Sequence, residues 1–165
     1  MQSLDLIRDN RNKSTERVLL RVEEMRERCL VPPTPHGGGH TLWVLGHLAF
    51  IEGQVIHEFM LGEPNPLGDW EDPFDGSDVP TDPDRYPPFD LVLARCRKTR
   101  ASTLKLLDSY SEDNLDCVAA KVPKGWDETF GTYRLCLQFA ADHWYMHRGQ
   151  LAAARRATGL ERMWV

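Results

Sequence analysis

Leu42-Trp43-Val44-Leu45-Gly46-His47-Leu48-Ala49-Phe50-Ile51 is apolar on nearly every face of the helix it predicts, with one imidazole set into it. A helix of that kind is buried on several sides, as in the interior of a bundle. Gly37, Gly38 and Gly39 lead into it, and His40 or Thr41 is placed to cap it. The pattern predicts a helix over residues 40–61.

Three further helices follow from the same periodicity. Leu4, Ile7, Val18, Val22 and Met25 recur at helical spacing, with a polar gap at Arg11 and Ser14. They predict a helix over 4–30, stopped by Pro32, Pro33 and Pro35, because proline lacks the N–H and restricts the residue before it. Val92, Cys96, Thr99, Thr103 and Leu106 share a face and predict a helix over 89–110. A fourth is predicted over 130–158, with Gly159 as its C-terminal glycine.

Between the second and third helices, residues 63–88 hold seven of the eleven prolines and eight acidic residues. No regular element is expected there, and a connection of this length serves as a functional loop or a crossover. Trp70, Phe74 and Tyr86 are its apolar anchors. The acidic spacing does not fit a calcium loop. The fold expected is all-α: a four-helix bundle with a long crossover between helices 2 and 3, in one domain spanning 1–165.

Charge and composition narrow the function. Twenty Lys+Arg against twenty-five Asp+Glu give a net charge of -5 over 165 residues. That balance argues against nucleic acid and against an anionic membrane surface as partners. No apolar run approaches the roughly 20 residues that span a bilayer. The start, with Asp5, Arg8 and Asp9, has no signal-peptide pattern, so the expected location is the cytoplasm. Cys29, Cys96, Cys117 and Cys136 form no C-x-x-C pair and read mostly as small buried residues.

The histidines carry the chemistry. His143 and His147 are four apart, on one helix face. Phe139, Ala140 and Cys136 precede them along that face, and Leu151 and Ala154 follow. Two buried imidazoles need partners for their ring nitrogens, and one metal ion serves both. His47, beside Trp43 and Phe50, supplies a third from a neighbouring helix. Three nitrogens leave a coordination position open, as catalytic sites require. The expected occupant is one divalent ion, zinc, nickel or iron, and imidazole chemistry does not choose among them. Occupancy is expected to fall below about pH 6, where ordinary imidazoles protonate.

Other polar residues are weaker candidates. His57 lies about 15 Å along the helix from His47 and does not share its metal. His36 and His40 read as surface or capping residues. Glu52, Gln54 or Asp142 is the expected acceptor for the outer N–H of a ligating ring. Cys136 is the residue to watch as a fourth, sealing ligand, but at roughly 10 Å before His143 it is not expected to reach. Arg148 is the candidate to bind a substrate carboxylate, with a surface or inter-helix salt bridge as its plainer role, and Gln150 reads as a packing contact that could instead bond across the bundle.

Leu42 to Glu52, containing Gly46-His47, resembles the second-helix motif of the DinB/YfiT-like metalloprotein superfamily. His143-Trp144-Tyr145-Met146-His147-Arg148-Gly149-Gln150 resembles its fourth-helix motif, H-x-x-x-H-R-G-Q. The stretches from Trp70 to Pro87 and from Ser111 to Leu115 fit the family more loosely. The resemblance implies a divalent metal on His47, His143 and His147, and a homodimer, for which Trp164 and Val165 are candidate apolar contacts. Relatives include bacillithiol transferases, mycothiol-dependent isomerases, proteins called metal-dependent hydrolases, and the iron-binding domain of ergothioneine synthases. These 165 residues hold no counterpart to the large second domain of those synthases. The resemblance therefore points to transfer of a low-molecular-weight thiol to a small-molecule substrate. A hydrolase and a non-enzymatic, dimeric metal-binding bundle are the alternatives.

Overall fold

The computed structural model describes residues 2–76 and 78–161. Four long helices dominate it: α1 (Ser3–Leu19), α2 (Thr41–Gly53), α3 (Phe89–Asp108) and α4 (Tyr133–Ala157). There is no β-strand among the described residues. The expected four-helix bundle is the fold observed. α2 packs against α3 and α4, and α1 closes the bundle against α4 and α3. No described helix is long and apolar enough to cross a membrane.

The all-round apolar stretch becomes the interior helix. From Leu42 to Phe50 every α2 residue except His47 is buried. The His40 ring starts the helix, its Nδ1 accepting from the Trp43 N–H at 3.1 Å. Beyond Gly53 the helix runs on in wider, π-type turns through Gln54–Leu61 and ends at Gly62, whose φ of 73° suits glycine. Trp43, Leu45, Leu48, Phe74, Cys96 and Trp144 belong to one core cluster; Ile56, Met60, Leu107, Phe130 and Leu137 belong to a second.

The first predicted helix is shorter than its periodicity suggested. α1 ends at Leu19, and Arg21 takes the left-handed conformation, φ 58°. Residues Val22–Arg28 then form a separate 3₁₀ helix. Tertiary contacts with the end of α4 hold this bend. Arg155 donates to the Arg21 carbonyl at 3.3 Å, and Arg28 donates to the Thr158 carbonyl at 2.5 Å. At the other end of the chain, α4 starts at Tyr133, because Thr132 caps it through its hydroxyl, and Asp127–Phe130 is a separate turn. Trp164 and Val165 lie outside the described residues.

The crossover contains more structure than its prolines promised. Gly68–Trp70, Glu71–Phe74 and Pro83–Arg85 are single helical turns. Trp70, Phe74 and Tyr86 are buried, as expected of anchors. Gly46 makes the closest approach to them: a Cβ there would stand 2.1 Å from the Phe74 ring. The loop therefore lies tight along α2. Its Pro80 carbonyl accepts from the His40 Nε2–H at 3.1 Å and from the Tyr86 hydroxyl at 2.8 Å.

Candidate metal centre

His47 comes from α2, and His143 and His147 from consecutive turns of α4. The three rings meet: their centroids are 5.1 Å (47 to 143), 4.7 Å (47 to 147) and 4.5 Å (143 to 147) apart. One nitrogen from each falls within 4.8 Å of the others. The Nε2 atoms of His143 and His147 are 3.1 Å apart. Two nitrogens on one tetrahedral zinc lie about 3.3 Å apart, from a Zn–N bond near 2.05 Å. The spacing fits a shared ion.

Hydrogen bonds fix which nitrogens are free. His47 Nδ1 is 2.6 Å from the Phe74 carbonyl oxygen, which can only accept, so this nitrogen carries the proton. His147 Nδ1 donates to Gln150 Oε1 at 2.7 Å. In the neutral rings both Nε2 atoms are therefore unprotonated, and that of His147 is placed to accept from His143 Nε2–H at 3.1 Å. Burial keeps the rings neutral. It pushes His47 down to about 4, against the weaker opposing pull of the Phe74 carbonyl. It pushes His143 down to about 3, with help from His147 and His47, and it lowers His147 too. Protons thus compete for these nitrogens at lower pH than the 6 expected of ordinary imidazoles.

Aromatic neighbours set the ring planes. Trp43 stacks on His47 at 4.4 Å, and Phe139 stacks on His143 at 5.4 Å. The Phe74 carbonyl reaches His47 because Gly46 admits the Phe74 ring against α2. The crossover's role in the site is thereby visible: it supplies the acceptor that orients His47.

The outer acceptors of the rings are not those expected. None of Glu52, Gln54 and Asp142 bonds to these rings among the described residues; the acceptors are Phe74 O and Gln150 Oε1. Asp142 accepts from Gln138 at 2.9 Å. Gln150 bonds within α4 rather than across the bundle. As expected, Cys136 does not reach the site; its thiol donates to the Phe130 carbonyl at 3.3 Å. His57 faces away and pairs with Glu63 at 3.3 Å. His36 is exposed. Arg148 is half-buried beside His147 and forms no ion pair among the described residues. Cys96 and Cys136 are buried, Cys29 is half-buried and Cys117 is exposed.

A second polar cluster escaped the sequence reading. Glu52 is fully enclosed and binds Arg11 of α1 at 2.7 Å, Arg100 of α3 at 2.8 Å and Trp144 of α4 at 2.7 Å. Its signal was present: Arg11 and Ser14 continue the stripe Leu4, Ile7, Val18, and Arg100 continues Val92, Cys96, Thr103, Leu107. A polar residue in register with an apolar stripe is a buried polar residue.

The fold is an all-helical bundle whose interior helix and last helix bring together three histidines that could hold a metal ion. Residues 7–151 match the family model of the DinB superfamily, and the chain belongs to that family. No curated protein and no solved structure matches it.

Proposed function

We propose that the chain is a metal-dependent enzyme that transfers a low-molecular-weight thiol to a small electrophile at His47, His143 and His147. The convergence of three neutral rings, with no fourth protein ligand among the described residues, carries this reading. A structural site would be closed by a fourth side chain, and Cys136 is engaged elsewhere. A divalent ion such as zinc, nickel or iron supplies Lewis acidity that favours a thiolate at neutral pH. The chain's own residues do the rest. The rings hold the ion, Phe74 O and Gln150 fix two tautomers, and Trp43 and Phe139 shield the ring faces from water. Arg148 is the anchor for a carboxylate on the thiol or the electrophile.

Thiol transfer is favoured over hydrolysis by the placement of carboxylates. A water nucleophile gains from a nearby general base. No carboxylate of the described residues joins the three histidines, and Glu52 is committed to two arginines and an indole. We also propose a homodimer as the working assembly, on the family's habit.

The experiment is elemental analysis of protein purified without chelator, followed by a screen of low-molecular-weight thiols against small electrophiles. Stoichiometric metal and thiol-dependent loss of an electrophile support the reading. Turnover without thiol supports the hydrolase, and a metal-loaded protein inert to both supports a non-enzymatic role. Light scattering giving the mass of one chain at high concentration would overturn the dimer.

A further inference from the structure

We propose that Glu52 is the positioning residue of the metal centre: one buried carboxylate that sets α2 against α4 by gathering a side chain from each of the other three helices. This inference rests on the metal reading of the three histidines.

Every helix of the bundle meets at this carboxylate. Oε1 accepts from Arg11 Nη2, and Oε2 accepts from both Arg100 Nη1 and Trp144 Nε1. All four side chains are buried, at 0% exposure for Arg11, 2% for Glu52 and 1% each for Arg100 and Trp144. The arginines are held by further bonds. Arg100 donates to Thr15 Oγ1 at 2.6 Å, to the Arg11 carbonyl at 2.9 Å and to Ser14 Oγ at 2.6 Å. Its guanidinium lies 4.3 Å from the Trp144 ring centroid. Arg11 Nη1 reaches the Leu137 carbonyl of α4 at 3.3 Å.

The connection to the metal centre is through Trp144. It follows His143 by one residue and precedes His147 by three. Its direction from the α4 axis therefore differs from theirs by about 100° and 60°, since each residue turns the helix by 100°. Any rotation of α4 that swings the indole off Glu52 swings both imidazoles by the same angle. On α2, Glu52 follows His47 by five residues. One Glu52–Trp144 bond thus sets the rotation and register of the two helices whose histidines must converge.

An apolar plug would serve packing alone, since replacing buried ion pairs by well-packed hydrophobes is often neutral or stabilising. Hydrogen bonds add direction, which a stack of leucines lacks. A metal centre needs its ligands within about 0.5 Å of the productive geometry, held by supporting contacts.

The test separates positioning from stability. Trp144→Phe keeps a ring in the core and removes only the indole portion that bonds Glu52. Leu107→Ala, in the other core cluster, is the control for destabilisation without misplacement. Each protein is melted without metal and titrated with Co²⁺, reading affinity and the d–d absorption band. Trp144→Phe is expected to weaken Co²⁺ binding about tenfold, the low end of what losing the support around a metal site costs, and to shift the band. Leu107→Ala is expected to melt lower and bind Co²⁺ as the wild type does. Wild-type binding and spectrum in Trp144→Phe would overturn the proposal, as would an equal loss in Leu107→Ala. Should Trp144→Phe not fold, Arg100→Lys carries the same comparison, because it keeps the charge and loses the bonds to Thr15, Ser14 and Arg11. If wild-type protein takes up no Co²⁺, the metal reading fails. Positioning is then judged on metal-free protein by imidazole ¹⁵N shifts. A single Nδ1-protonated form of His47 and His147 should give way to mixed tautomers in Trp144→Phe, and unchanged shifts would refute it.

Discussion

Two polar clusters share α2, five residues apart, and they obey opposite rules. Around His47 the groups are neutral, and the unprotonated Nε2 atoms belong to rings whose nitrogens converge within 4.8 Å. Around Glu52 the groups are charged, and both carboxylate oxygens are engaged. The first cluster could be completed by a metal ion. The second is completed by the fold itself. Damage to the first should cost a ligand and spare the bundle; damage to the second should cost the bundle.

The largest effect expected is on the Glu52 side. Glu52→Leu strands two buried guanidinium groups, and breaking a buried pair costs about 3–5 kcal/mol. Arg11 remains a cation at neutral pH even though burial pushes it down to about 9. The triple variant Arg11→Met, Glu52→Leu, Arg100→Met removes all three charges and should regain most of the loss. Urea unfolding measures both. A Glu52→Leu protein within about 1 kcal/mol of wild type would erase the distinction between the clusters, because it would mean the node carries only an ordinary hydrogen bond.

His147→Ala tests the other half. It removes one of three ligands and should cost most of the bound metal, while the metal-free protein keeps its helical circular dichroism. Full stoichiometric metal in that variant would break the site assignment.

Acid separates the clusters on one axis. Unfolded histidines protonate near 6.5, while His47 and His143 resist down to about 4 and about 3. A folded pKa below the unfolded one means the unfolded chain binds more protons in between. Stability of the metal-free protein is therefore full above about 6.5 and falls as pH drops through that window, by up to about 1.4 kcal/mol per pH unit for each histidine. Glu52 acts lower. Burial alone would raise its carboxyl, but the charges of Arg100 and Arg11 with their hydrogen bonds outweigh that, and the net direction is down. Its contribution is present above the ordinary carboxylate range and is lost as pH falls through its depressed pKa. Urea midpoints against pH should show the histidine slope first, and His143→Ala should flatten it.

A smaller effect is expected at Gly46. A methyl group there meets the Phe74 ring, so Gly46→Ala should push Phe74 and its carbonyl off His47. Overpacking of this kind costs about 1–3 kcal/mol. Loss of the outer hydrogen bond should weaken metal binding about tenfold. Gly46→Ala with wild-type metal affinity would show that the crossover's carbonyl is dispensable.

The two clusters also differ in how legible they were. The long helices and the three histidines could be read directly, because apolar periodicity and H-x-x-x-H are local patterns. The break at Arg21 could not, because bonds to Arg155 and to the Thr158 carbonyl, near the far end of the chain, hold it, and no glycine marks it. Arg11 and Ser14 read as a gap in a stripe because charge is usually outside; the partner that lets them inside is 41 residues from Arg11 in sequence. Glu52 was visible only as a carboxylate beside a histidine motif, a candidate acceptor for a ligating ring. Its true partners lie on three other helices, which no local pattern records. The outer acceptors were missed for a related reason: one is a backbone carbonyl, and any residue has one.

The smallest effect expected is at His57, and it closes the comparison within α2. His57 sits on the π-type turns, ten residues beyond His47, at the edge of a groove of about 390 Å³ lined by Ile56, Ser102 and Leu106. It has a carboxylate within 3.3 Å, but the pair is solvent-facing, with Glu63 60% exposed. Exposed pairs contribute about 0–1 kcal/mol. No second imidazole faces it from α4, and no backbone carbonyl fixes its tautomer among the described residues. His57→Ala should therefore leave metal content unchanged by elemental analysis and move the urea midpoint little. What separates the two histidines is the neighbour each helix turn meets, since both stand among apolar residues of one helix. If His57→Ala lost metal while His147→Ala kept it, the convergence of the three rings would be a packing accident, and the centre would have to be sought in the groove instead.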